Sequence, residues 1–200
     1  MRKMLSVAAI ALALTVVGTS CTGPTGGHWE PPMELWTAGD SIMAGAAQPP
    51  SWVDGLGIPL FNTAESGRGF TTSVPGTIEA SLDHWVDIYG APEQILISGG
   101  ANDQLTGATA PDTIAAMSHL ESWLGSLGTD VIWVTAPRMT TSTPVLTQTN
   151  AWIRTRPHYI DCGPLLGEPV LDSAYSLDGV HINNAGDAKF TTCVLASPLV

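Results

Sequence analysis

Positive charge is scarce in this chain of 200 residues. Two lysines (Lys3 and Lys189) and five arginines stand against 18 acidic residues, for a formal net charge of −11. Beyond the first three residues there is no basic run, so a nucleic-acid partner is disfavoured, as is direct adsorption to anionic headgroups. Charged residues make up only 12% of the chain, while hydrophobic residues reach 44%. That balance supplies a sizeable core and excludes wholesale disorder. Long apolar runs are also missing: the main one, Leu5 to Val17, has 13 residues, too few to cross a bilayer as a helix. There is no Cys-x-x-Cys and no His-x-x-x-His, and the carboxylates are scattered. Neither a metal site nor a cofactor is expected. The length fits one domain, read as a monomer.

Arg2 and Lys3 precede the apolar stretch, and Gly18-Thr19-Ser20-Cys21 comes after it. Residues 1–21 therefore read as an export signal, outside the fold. This leader resembles a bacterial lipoprotein signal, which would make Cys21 the lipid attachment site and a lipid anchor the protein's link to a membrane. The alternative is an ordinary secretory signal, with Cys21 a plain residue. Either way the expected destination is outside the cytoplasm, anchored at the outer face of the cell membrane or secreted. Residues 22–32, rich in Gly, Pro and Thr, read as a flexible tether to a domain spanning 33–200. Export leaves Cys162 and Cys193 as an even pair in a compartment that permits disulfides. They are expected to pair, with two separate buried thiols as the alternative.

Short apolar runs at Leu35–Thr37, Leu60–Asn62, Ile95–Ser98, Val131–Val134 and His158–Ile160 suit buried strands of a parallel sheet. Helical stripes lie between them. Ile78, Leu82, Trp85, Val86 and Tyr89 share one face, and so do Ile114, Met117, Leu120, Leu124 and Leu127, with Asp112 as the expected cap. Val145, Thr149, Trp152 and Ile153 form a third stripe, and 185–195 is a weaker helix. The alternation predicts a single three-layer doubly wound α/β domain with a mainly parallel five-stranded sheet. The tryptophans read as core, with sugar stacking by Trp29 or Trp52 as the minor alternative.

In open α/β sheets ligands bind beyond the carboxyl ends of the strands. Four clusters fall at such ends. Gly39-Asp40-Ser41 comes after the first strand, with Ile42-Met43-Ala44 able to start a helix. Asn62 to Gly69 comes after the second, carrying Gly67 and Gly69, either of which could aim a backbone N–H at an oxyanion. Gly100-Ala101-Asn102-Asp103 comes after the third, where the Asn102 amide could donate to the same oxyanion or merely cap the next segment of chain. Asp178-Gly179-Val180-His181 lies near the C-terminus, close enough in sequence for the carboxylate to orient the imidazole. Each cluster alone also reads as an ordinary turn. Asp40 and Asp103 read as supports of the site loops.

In this order and each after a strand, the four blocks resemble the motif blocks of the SGNH (GDSL) hydrolase superfamily. The resemblance spans the chain from Leu35 onward and implies a flavodoxin-like fold and a serine esterase. It implies Ser41 as nucleophile, His181 as general base and Asp178 as the residue orienting it. The oxyanion hole would comprise the backbone N–H groups of Ser41 and Gly67 and the Asn102 amide, with Gly69 competing for the role of Gly67. The expected substrates are esters of small molecules, lipids or acylated glycans. An O-acyltransferase using the same site, or a surface binding protein that has lost turnover, are the alternatives.

Overall fold

A computed structural model describes residues 34–72, 75–141 and 143–200. The leader, Cys21, the tether and Trp29 lie outside the described residues.

Five strands, β1 (Leu35–Gly39), β2 (Phe61–Asn62), β3 (Gln94–Ser98), β4 (Asp130–Val134) and β5 (Tyr159–Ile160), form one sheet in the order β2-β1-β3-β4-β5. Every pairing is parallel, with Trp36 opposite Ile95 and Leu96 opposite Ile132. The sheet is thus wholly rather than mainly parallel. Alternate residues face opposite layers, as the period of two demands. Trp36, Ile95, Ile97, Val131 and Trp133 pack with Ile78, Leu82, Met117 and Leu120 on one side. Leu35, Leu96, Ile132 and Ile160 pack with Trp52, Phe190 and Val194 on the other. Both clusters are closed to solvent, and each fully buried Leu or Ile contributes about 1.5–3 kcal/mol.

The helices are α1 (Ile78–Tyr89), α2 (Ala101–Thr106), α3 (Ala110–Ser126), α4 (Pro144–Ile153) and α5 (Asn184–Leu195). Helix α3 begins earlier than its stripe suggests. Thr109, not Asp112, is its N-cap, accepting from the Asp112 N–H, while Asp112 sits in the first turn and accepts from the Thr109 hydroxyl at 2.6 Å. Acidic charge there is favourable because the first turn carries free N–H groups. The short α2 has no apolar stripe and so no sequence signal. Asn102 lies inside it and does not cap it; the cap position is Gly100.

Ile42–Ala44 does not start a helix. Residues 41–45 make a single turn, with bonds from Ala44 N–H to Asp40 O and from Ala46 N–H to Ser41 O, and Gly45 ends it in a left-handed conformation (φ 64°). The chain then runs through Pro49-Pro50 and a 3-10 turn, Asp54–Leu56, against α5. Trp52 is buried beneath this segment, its ring 5.1 Å from that of Phe190, so it is core and not a sugar-stacking platform. No helix among the described residues is long and apolar enough to cross a membrane.

Candidate active site

The strand order reverses between β1 and β3, and the crevice beyond that point is where such sheets hold ligands. Ser41 leaves β1 there, and Asn102 leaves β3 there.

The loop after α4 and β5 brings a third segment to the same end. Asp178 begins a turn in which its Oδ1 accepts from the backbone N–H groups of Val180 (2.9 Å) and His181 (2.8 Å). Its Oδ2 lies 2.7 Å from His181 Nδ1. The ring nitrogen facing a carboxylate is the one that carries the proton, which leaves Nε2 as an acceptor. His181 Nε2 is 2.9 Å from the Ser41 hydroxyl, across 140 positions of sequence. Burial raises the pKa of Asp178, but hydrogen bonds from the His181 backbone, the His181 ring and the Val180 backbone outweigh it and hold the pKa at about 2. The carboxylate therefore stays ionised beside the imidazole at any ordinary pH.

This loop is anchored on both flanks. Thr140 N–H donates to Gly179 O, and Leu177 N–H donates to His181 O. Asn183 caps α5 through the N–H groups of Ala185 and Gly186 and donates from its amide to Ala174 O. Cys162, after β5, and Cys193, in α5, form a disulfide with Cα atoms 5.8 Å apart. The bridge thus brackets the segment that carries Asp178 and His181.

Two buried carboxylates join the other blocks. Asp40 accepts from Ile42 N–H (3.0 Å) and from Ala101 N–H (3.2 Å), tying the Ser41 turn to the start of α2. Burial pushes its pKa up to about 6; those two N–H groups oppose the rise, Asp103 adds to it and His181 opposes it. Asp103 accepts from Phe70 N–H (2.9 Å), Thr71 N–H (2.7 Å) and the Thr71 hydroxyl (2.6 Å), which fixes the 62–72 loop against α2.

The two glycines of that loop are distinguished by what surrounds them. At Gly69 a Cβ would lie 2.6 Å from Asp103 Oδ2, so this glycine is needed for close packing against the buried carboxylate. Gly67 has φ +82°, a conformation that aims its N–H where an L side chain would be strained. Neither the Gly67 nor the Ser41 backbone N–H has a hydrogen-bond partner among the described residues. The half-buried Asn102 amide donates one N–H to Arg68 O at 2.7 Å, and the other has no partner among the described residues. Three neighbouring segments thus present uncommitted donors, and the free one on Asn102 is held by its twin.

No family model and no curated protein sequence matches the chain. Solved structures do. A member of the lipolytic G-D-S-L family from Veillonella parvula superposes with a TM-score of 0.69 at 17% identity, covering 83% of this chain and 98% of that one. The chain has the SGNH hydrolase fold. A psychrotrophic esterase from Pseudoalteromonas, solved inhibited by monoethylphosphonate, shares the SGNH fold with a TM-score of 0.63 at 18% identity, over 80% of this chain and 93% of its own. A catalytic mutant of an acetylxylan esterase from Geobacillus stearothermophilus does so with 0.59 at 17% identity, over 81% and 92%.

Sequence reasoning missed one residue beside this site. Asp187, in the first turn of α5, lines the same small crevice as Ser41 and His181. Burial raises its pKa to about 6, the Trp52 N–H opposing and Asp54 reinforcing the rise. Its burial depends on the distant 48–55 segment, so no local pattern could have marked it.

Proposed function

We propose that this protein is an exported serine esterase that works through an acyl-enzyme on Ser41. The observation that carries the reading is the continuous chain Ser41 Oγ–His181 Nε2 (2.9 Å) and His181 Nδ1–Asp178 Oδ2 (2.7 Å). A serine hydroxyl is a weak nucleophile until a base takes its proton. His181 takes that proton as Ser41 attacks the ester carbonyl, and Asp178 stabilises the imidazolium that results. The tetrahedral oxyanion is held by the backbone N–H groups of Ser41 and Gly67 and the free N–H of Asn102. His181 then protonates the departing alcohol, and a water activated by His181 releases the acid and frees Ser41.

The leader ending at Cys21 supports export, with a lipid on Cys21 as the anchor. The Cys162–Cys193 disulfide supports it independently, since such bonds persist in oxidising compartments. A panel of p-nitrophenyl esters of increasing acyl length, run beside Ser41→Ala, tests the activity. Turnover of short esters that disappears in Ser41→Ala supports the reading; turnover retained in Ser41→Ala overturns it. Fractionation of cells expressing Cys21→Ser tests the anchor, with release from the membrane as the expected result.

A further inference from the structure

The crevice shared by Ser41 and His181 encloses about 10 Å³, room for one water at most. The bulk of a substrate must lie beyond it. Beside it, with Asp187 as a shared wall residue, lies a cleft of about 410 Å³ between the 50–55 segment and the first two turns of α5, a size within the range of small-molecule sites. Asp187 lines both spaces, the one described residue they share. Asn184, Asp187, Ala188 and Thr191 form the helical wall, at offsets 0, 3, 4 and 7 along one face of α5.

We infer that this cleft binds the alcohol half of the ester, that this half is polyhydroxylated (a polyol or sugar), and that Asp187 accepts one of its hydroxyls. The inference rests on the esterase reading and names the substrate class of the same site. Three observations support it. First, neither Gly67 nor Asn102 lines the crevice or the cleft. The cleft is therefore not walled by two of the three oxyanion donors, and Asp187 places it next to the crevice that holds His181, which returns a proton to the departing oxygen. Second, Asp187 is only 8% exposed, yet no side chain among the described residues donates to it. A buried carboxylate without such a donor has acceptor capacity that a hydroxyl can fill. Third, the wall has the matching polar groups. Asn184 has a side-chain amide with no partner among the described residues, and the Thr191 hydroxyl donates to Trp52 O and so can still accept. No aromatic face lines the cleft, which disfavours a quaternary ammonium alcohol despite the acidic residue.

The test compares kcat/KM for glycerol 1-acetate, propyl acetate and acetylcholine, which share an acyl group and differ in the alcohol. The wild type is expected to prefer glycerol 1-acetate to propyl acetate by about tenfold or more, mainly through KM. Asp187→Ala should reduce that ratio severalfold. Ala188→Phe, at an exposed helical position whose new ring fills the cleft, should do the same without touching the buried carboxylate. Circular dichroism reports whether each variant folds. A ratio unchanged in folded Ala188→Phe, or a wild-type preference for propyl acetate or acetylcholine, would overturn the inference while leaving the esterase reading intact. Absence of wild-type turnover on every ester would overturn the esterase reading, and the subsite with it.

Discussion

The side-chain amide of Asn102 donates to the backbone carbonyl of Arg68 at 2.7 Å, so the residue after β3 is tied directly to the loop that carries Gly67. One N–H serves as an anchor, and the geometry of the amide fixes the direction of the other. Asn102→Ala removes both. A lost oxyanion donor typically costs about 10²–10³ in kcat, and because the charge it meets exists only in the transition state, KM should change little. Steady-state kinetics on a short ester checks this. An unchanged kcat would remove Asn102 from the oxyanion site.

Asp103 acts one step further from the chemistry. Its carboxylate is fully buried and accepts three hydrogen bonds from Phe70 and Thr71. Asp103→Asn replaces one acceptor oxygen with a donor that faces other donors. Hydrogen bonds to a charged group contribute about 1.5–3 kcal/mol each, so a loss of stability on the order of 3 kcal/mol is expected in urea unfolding. A loss within about 0.5 kcal/mol, the level of an ordinary surface change, would contradict this role.

The disulfide joins residues 31 apart. Closing a loop of that length in the unfolded chain stabilises the fold by about 3–4 kcal/mol in the chain-entropy model. Reduction, or a Cys162→Ala/Cys193→Ala pair, should lower stability by that order and lower kcat by loosening the Asp178–His181 loop. Thiol titration of denatured, unreduced protein should find neither cysteine free. Two free thiols, or a double variant as stable as the wild type, would contradict the account.

Stability should also depend on pH in an unusual direction. Asp40 and Asp187 both have folded pKa values of about 6 against an ordinary 3.8. A carboxylate that holds its proton more tightly when folded adds stability below about pH 4, and that share is lost as pH rises through about 6. For Asp40, buried and out of contact with solvent, the share is on the order of 2–3 kcal/mol. Asp178, at about 2, works the other way: its contribution is present above about pH 4 and is lost as pH falls through 2. Urea unfolding should therefore show stability falling between pH 4 and 6, with a shallower fall in Asp187→Asn. Stability rising over that interval would contradict both assignments.

Much of this was legible from the chain. The β-branched and aromatic runs marked all five strands because parallel strands are buried on both faces, and Ser41, Asp178 and His181 stood out because they lie in compact motifs, the first directly after β1 and the other two beyond the 3-10 turn at Ser173–Tyr175. The unread features arise from contacts between distant segments. Helix α2 has the sequence Ala-Asn-Asp-Gln-Leu-Thr, with no apolar stripe, and is held by the Asp40 carboxylate on its first N–H and by Gln104 accepting from Val145. Ile42–Ala44 looked able to start a helix, but Gly45 and the prolines behind it stop the turn. Gly67 and Gly69 could not be told apart in sequence, because what distinguishes them is Asp103, in the next motif block. Asp187 gives no signal in its neighbours, since the wall that buries it is supplied by the 48–55 segment, near the other end of the domain.

The central claim is that Ser41, activated by His181, is a nucleophile. Intact-protein mass spectrometry after exposure to a fluorophosphonate tests it most directly. One adduct per chain is expected on the wild type, mapped to Ser41, absent in Ser41→Ala and strongly slowed in His181→Ala. Folded wild type that takes up no adduct, or Ser41→Ala that is labelled as fast as wild type, would contradict the account.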